Sequence, residues 1–168
     1  MSTSFHAADE PRLEVGAIYL LLFIRDRDIS NGFHWALYHH RSAHGGYKFN
    51  VKQMGSGWIC DSAPNNGIMK SFLLDGALRI GFCDPARADE LSWIDKVDLT
   101  VPPAPFDIFT CLTWTLHCIR GLIDQGYVKC SDLSALEQEA KDWGTFHHQS
   151  AHDGKMPRPV EDSHVCVF

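Results

Sequence analysis

The first half of the chain alternates between short apolar runs and turn-forming residues. The runs are rich in β-branched, aromatic and leucine residues, and glycine-containing pairs separate them, which is the pattern of β-strands joined by turns. It predicts five strands, over residues 16–24, 32–40, 46–54, 57–61 and 71–82. Because most of the connections are short, we expect an antiparallel β-meander.

The second half of the chain changes to helical spacing. Asp84 resembles a helix N-cap and Pro85 stands at the first helical position, which predicts a short helix to about residue 97. Ser131 or Asp132 caps a later helix. Its apolar stripe consists of Leu133, Leu136, Ala140 and Trp143.

The clearest helix lies between these two. After a proline-rich break at residues 102–105, apolar residues recur every three or four positions from Ile108 to Ile123. Gly126 follows, as expected of a helix closed by glycine. The helices should pack on the sheet, so the pattern predicts an α+β fold with a packed helical set.

The length of 168 residues fits one domain of ordinary size. We expect a flexible N-terminal arm at residues 1–14, a single catalytic-type domain at residues 15–144 and a polar C-terminal tail at residues 145–168. No internal repeat divides the chain.

Composition and charge narrow the functional classes. The net charge of -6, with scattered basic residues, argues against a nucleic-acid partner. The longest apolar run, at residues 15–24, is about half of what a bilayer span needs, so we expect no membrane span. The acidic N-terminus is unlike a secretory signal, and the six cysteines show no disulfide framework. We therefore expect a cytoplasmic protein with reduced thiols; the oligomeric state stays open.

Two segments combine reactive side chains with suitable positions. Strand alternation places His34, Ala36 and Tyr38 on one face of the second predicted strand. Cys111 stands in or beside the first turn of the clearest helix, where the helix dipole and unpaired N–H groups favour a thiolate. On a helical wheel Cys111 lies at the margin of the apolar stripe. We therefore treat Cys111 as a candidate nucleophile and His34 as its candidate base.

A cysteine nucleophile needs an imidazole and a third group that orients the imidazole. Asn50, on the strand after His34, can supply that group if the two strands form a hairpin in the right register. Each residue also has a purely structural interpretation. Cys111 can be a packed core residue, His34 a histidine bonded to the backbone, and Asn50 a polar residue beside a turn.

No metal or other cofactor is predicted. His40 and His44 have the spacing of a helical metal pair, but Gly45 and Gly46 place them in a hairpin loop. No cysteine or carboxylate completes a recognisable zinc set.

The sequence from His34 to Tyr38, followed by residues 47–50, resembles two consecutive strands of the lecithin retinol acyltransferase-like enzymes. That group belongs to the circularly permuted papain-like thiol enzymes, in which the histidine strand precedes the cysteine helix, as it does here. The resemblance covers about residues 16–128. It implies a permuted papain-like fold in which Cys111 is the nucleophile, His34 the base and Asn50 the orienting residue. That group usually has a second histidine where Asn50 stands, but papain itself uses asparagine.

The resemblance implies cysteine-dependent acyl transfer, or hydrolysis of an amide, ester or thioester of a small molecule or peptide. The alternative is a non-catalytic binding or scaffold domain on the same fold, with Cys111 merely packed. The two differ in thiol reactivity near neutral pH. The substrate, the acyl acceptor and any repurposing of the site for other chemistry stay open.

Overall fold

The computed structural model describes residues 12–25 and 28–168 and shows an α+β fold. Within these residues, two α-helices and one long 3₁₀ segment accompany eight strands. The strands are β1 (Ala17–Ile24), β2 (Phe33–Ser42), β3 (Gly45–Phe49), β4 (Val51–Met54), β5 (Gly57–Cys60), β6 (Ala63–Asn65), β7 (Leu74–Phe82) and β8 (Val160–Asp162). The helices are α1 (Cys111–Asp124) and α2 (Leu133–His152), and the long 3₁₀ segment is Pro85–Lys96. Short 3₁₀ turns occupy Ile29–Asn31 and Ile68–Lys70.

The predicted meander holds for the first three strands only. The six-stranded sheet has the order β6-β3-β2-β1-β7-β8, and β4 and β5 form a separate hairpin. β7 returns to the free side of β1, and β8 adds parallel to β7, so the sheet is mixed. A meander is wrong for the second half because the chain crosses the sheet between β6 and β7, which periodicity within a strand does not reveal.

The central strand β1 is buried on both faces, which explains its unbroken apolar run. Ile18, Leu20 and Leu22 belong to the core that α1 and α2 cover. Tyr19 and Leu21 point to the opposite face, where a smaller apolar cluster includes the turn Ile68–Lys70. The sheet therefore has a rigid centre next to the strand that carries His34.

The predicted strand over residues 46–54 is broken at Asn50. β3 ends at Phe49, and β4 starts at Val51 and leaves the main sheet to pair with β5. The two residues after β5 hydrogen-bond the backbone of Asn50 at the break. The Asn50 N–H donates to Ser62 Oγ at 3.0 Å, and the Asn50 carbonyl accepts from the Asp61 N–H at 2.8 Å. Asn50 therefore lies at a fixed corner.

The predicted C-terminal tail at residues 145–168 is wrong. α2 continues through Gly144 to His152, and β8 joins the sheet. Gly144 lies within the helix, where its missing side chain allows close packing, since a Cβ there would lie 2.6 Å from Leu22 Cδ1. Arg158 is 1% exposed and donates to the backbone carbonyl of Leu74 at 2.7 Å, so the final segment is part of the domain.

The predicted N-terminal arm lies largely outside the described residues. Of its last three residues, Leu13 is buried in the smaller apolar cluster, and the Glu14 N–H donates to Tyr19 Oη at 2.8 Å. The domain therefore begins before residue 14. Within the described ranges, no helix has both the length and the apolar character needed to cross a bilayer.

Asp75 at the start of β7 is an unusual buried carboxylate. It is completely buried, and neither oxygen has a hydrogen-bond partner among the described residues. Burial raises the pKa of Asp75 to about 7, although Arg158 opposes the shift. The protonated form is therefore the one that the fold accommodates at low pH.

We expect the free energy of unfolding to fall as pH rises from about 4 to above 7. The pKa of Asp75 is higher in the folded protein than in the unfolded chain. Its protonated form therefore contributes its full stabilisation below the unfolded pKa, and this contribution is lost as the pH rises through the folded pKa. The loss could reach about 4 kcal/mol, from about 1.4 kcal/mol per pKa unit. Urea unfolding from pH 4 to 8 measures it. Asp75→Asn should flatten this dependence, whereas Asp107→Asn, at an exposed position, should retain it.

Candidate active site

Cys111 is the first residue of α1 because the sequence before it caps the helix. Thr110 is the N-cap; its hydroxyl accepts from the Thr113 N–H at 3.1 Å, while Thr113 Oγ1 accepts from the Thr110 N–H at 2.9 Å. This reciprocal pair fixes the start of the helix. The backbone N–H groups of Cys111 and Leu112 have no acceptor within the helix, so they are available to a ligand beside the thiol.

The edge of β2 leaves room for the start of α1. β3 pairs with β2 only from Leu37 onward, so no strand among the described residues borders the first residues of β2 on that side. The Trp35 N–H there donates to the Cys111 sulfur. A backbone group that would otherwise belong to the sheet thus binds the candidate nucleophile.

His34 connects Cys111 to Asn50. Its Nε2 lies 2.6 Å from Asn50 Oδ1, and the His34 side chain also hydrogen-bonds the Cys111 thiol. Since an amide oxygen only accepts, Nε2 carries a proton and Nδ1 remains for the sulfur. His34 and Asn50 come from the predicted antiparallel hairpin, which is confirmed, with Asn50 one residue beyond β3.

Asn50 is itself held in position. It is 4% exposed, and its Nδ2 donates to Asp61 Oδ2 at 3.2 Å. Because a carboxylate only accepts, this bond directs the amide nitrogen towards Asp61 and the amide oxygen towards His34. Asp61 also faces Lys52, whose Nζ lies 3.4 Å from Oδ1. The side-chain contacts therefore run from Cys111 to His34, then to Asn50 and finally to Asp61.

Arg25 approaches the sulfur from another side. Its Nη2 lies 3.3 Å from Cys111 Sγ, directly after β1 ends at Ile24. The sequence pattern did not place Arg25 in the site. Asp61 was also missed, because its role depends on the return of β5 to the corner at Asn50.

The environment of Cys111 favours the thiolate. Burial alone raises the pKa of the thiol. Hydrogen bonds from His34 and from the Trp35 N–H, together with the positive charges of His34 and Arg25, outweigh burial, so the pKa of Cys111 lies below its ordinary value. Cys118, two turns along the same helix, shows the contrast. It lacks these partners, and burial raises its pKa well above the ordinary value.

A cleft of about 380 Å³ opens beside the sulfur. Its walls come from the end of β1, the start of β2, the N-terminus of α1 and one face of α2. The lining residues are Arg25, Ile29, Gly32, Phe33, Trp35, Thr110, Cys111, Leu112, Lys141 and Thr145. The helical wheel placed Cys111 at the margin of the apolar stripe; in the fold Cys111 is only 1% exposed, and the cleft is its approach from solvent.

Within residues 12–25 and 28–168, no group of three or more histidine, cysteine or acidic side chains comes together as a metal site. His44 lies in the turn between β2 and β3, as predicted, whereas His40 is a buried residue of β2 and not part of the loop. No family model, curated protein or solved structure matches this chain.

Proposed function

We propose that this protein is a cysteine-dependent acyl-transfer or hydrolytic enzyme acting on an amide, ester or thioester. The observation that carries the proposal is Cys111 itself. Its thiol has a lowered pKa, is hydrogen-bonded to a histidine that Asn50 orients, and lies beside a cleft. A packed structural cysteine requires none of these features, and Cys118 has none of the activating contacts that lower a thiol pKa.

In the proposed reaction the Cys111 thiolate attacks the substrate carbonyl and forms a tetrahedral adduct. The backbone N–H of Cys111 and the Arg25 guanidinium supply donors for the developing oxyanion. Protonated His34 gives its proton to the leaving amine, alcohol or thiol as the bond to the carbonyl carbon breaks. A covalent thioester of Cys111 results.

The second half returns the enzyme to its starting state. Water or another acceptor loses a proton to His34 and attacks the thioester, and the Cys111 thiolate departs with its electron pair while His34 keeps the proton. Asn50 Oδ1 accepts a hydrogen bond from the His34 Nε2–H in both half-reactions, and this keeps His34 Nδ1 directed at the sulfur. Hydrolysis and transfer differ only in the acceptor.

The chain order supports a permuted papain-like arrangement. The histidine strand β2 and the Asn50 corner precede the helix that Cys111 begins, the order that characterises the permuted thiol enzymes. The thiol mechanism also requires a reduced Cys111, which is consistent with the expected cytoplasmic location.

The lining of the cleft favours a particular kind of small-molecule or peptide substrate. Ile29, Phe33 and Leu112 offer apolar surface, whereas Arg25 and Lys141 offer positive charge. None of the described lining residues carries a carboxylate. An acyl group with an apolar body and a nearby anionic group fits this combination best.

Thiol labelling tests the proposal without a known substrate. We expect iodoacetamide at about pH 6 to label Cys111 first among the six cysteines, because only the thiolate reacts and ordinary thiols near pKa 8.5 are almost fully protonated there. Quantitative peptide mass spectrometry over a time course gives the six rates. Cys60, which is exposed, and Cys130, which is half-buried, are internal controls for access.

The alternative scaffold function predicts the opposite order. If Cys60 and Cys130 react while Cys111 remains unlabelled until the protein is unfolded, Cys111 is a packed core residue and the enzymatic proposal is wrong.

A further inference from the structure

Two cysteines that do not line the cleft lie beside each other, although they are distant in the chain. Cys130 lies between α1 and α2, and Cys166 lies near the C-terminus. The Val167 N–H donates to the Lys129 carbonyl at 2.8 Å, so the backbones of the two segments are joined beside the thiols. The Cys130 thiol donates to the Asp132 carbonyl at 3.3 Å and is close enough to influence the pKa of Cys166. Neither residue takes part in the proposed mechanism.

We propose that Cys130 and Cys166 form a disulfide when the protein meets an oxidant, and that they constitute a redox-sensitive clasp on the C-terminal segment. Both residues are free thiols in the structure. A disulfide requires side chains that approach closely from neighbouring backbones. Here the backbone bond beside the thiols already holds the segments together, so closure needs no large movement of the chain.

The chemistry is a balanced exchange with a low-molecular-weight disulfide such as glutathione disulfide. The Cys130 thiolate attacks one sulfur of glutathione disulfide, forming a mixed disulfide and releasing one glutathione. The Cys166 thiolate then attacks the Cys130 sulfur and releases the second glutathione. The protein loses two protons and two electrons, and the reagent becomes two glutathione thiols.

The order of attack follows from the environments of the two thiols. Cys130 is half-buried and reachable from solvent, whereas Cys166 is 6% exposed. Burial, together with the neighbouring Cys130 thiol, raises the pKa of Cys166 to about 12, and a bond to Ser163 only partly opposes this shift. Cys130 therefore reacts first, and closure by Cys166 should become faster as pH rises.

The loop that the disulfide would close contains the whole of α2 and β8. β8 is an edge strand of only three residues, and the Ser163 N–H directly after it donates to the Arg79 carbonyl at 2.9 Å. α2 supplies Lys141 and Thr145 to the wall of the cleft. A covalent link between the two ends of this loop restricts the unfolded chain and so stabilises the last part of the domain.

Oxidation of the full chain tests the clasp directly. After incubation with glutathione disulfide at pH 8, we expect a peptide pair linked through Cys130 and Cys166, with the loss of two hydrogens, and a rise in Tm of about 5 °C. Cys130→Ser should abolish both the linked peptide and the rise. Cys60→Ser, which removes an exposed thiol elsewhere, should leave both intact.

Three outcomes would overturn the proposal. One is stable glutathionylation of Cys130 without closure at pH 8. A second is a linked pair that involves other cysteines. The third is a linked Cys130–Cys166 pair with no change in Tm, which would deny the clasp its structural effect. Cys130 is only half-buried, so we expect the Cys130→Ser variant to fold. Circular dichroism before oxidation checks its fold.

Discussion

Cys111→Ser is expected to lower the turnover of an activated ester or thioester substrate by about 10⁴-fold, close to complete loss of the enzymatic rate. A serine hydroxyl is protonated at neutral pH, and Arg25 and the Trp35 N–H, which stabilise a thiolate, cannot generate an alkoxide. Initial rates with p-nitrophenyl acetate or the first identified substrate measure the effect. Cys130→Ser is the matched control and should keep the wild-type rate.

The same variant separates catalysis from folding. Serine is nearly the size of cysteine, so circular dichroism and Tm should change little. A Cys111→Ser protein that retains the wild-type rate would show that the thiol is not the nucleophile, whatever its pKa.

His34→Ala is expected to lower the same rate by about 10³-fold, because proton transfer by a positioned base and the activation of the nucleophile are lost together. Asn50→Ala should have a smaller effect, since His34 would keep its contact with Cys111 and lose only its orientation. The measurement is the rate at saturating and at low substrate concentration. His44→Ala, in the exposed turn before β3, is the matched control, and an equal loss in that variant would contradict a specific role for His34.

The sequence predicts the central parts of the site because each lies in a strong local pattern. Cys111 follows from helix spacing and its position after Thr110. His34 follows from strand alternation, and Asn50 from the expectation that two strands joined by a glycine-containing loop pair as a hairpin. These patterns state which residues share a face or begin an element, and so they name the three candidates; that the residues meet depends on the packing of the start of α1 beside the first residues of β2.

The supporting residues could not be predicted in the same way. Arg25 reaches the sulfur only because β1 ends next to the start of α1, and Asp61 reaches Asn50 only because the β4–β5 hairpin folds back on the corner. Both depend on tertiary contacts between elements that are distant in sequence. Local periodicity does not encode such contacts.

The error at the C-terminus has a different cause. The segment after Gly144 is polar and follows the apolar stripe that ends at Trp143, so the sequence predicted a tail. In the fold, Gly144 is the point where α2 crosses β1 against Leu22. Gly144 therefore allows a helix to lie close to a sheet, and only the packing of the two elements shows this.

The most direct test of the central claim, an activated thiol paired with His34, is the pH dependence of Cys111 alkylation by iodoacetamide in the wild type and in His34→Ala. Because the thiolate is present above its pKa, a lowered pKa moves the rise in rate to lower pH. The wild-type midpoint should lie below the ordinary value of about 8.5. In His34→Ala it should move upward, since burial then opposes the thiolate without the histidine bond and charge. A wild-type midpoint at or above that of a free thiol, unchanged by the loss of His34, would contradict the account.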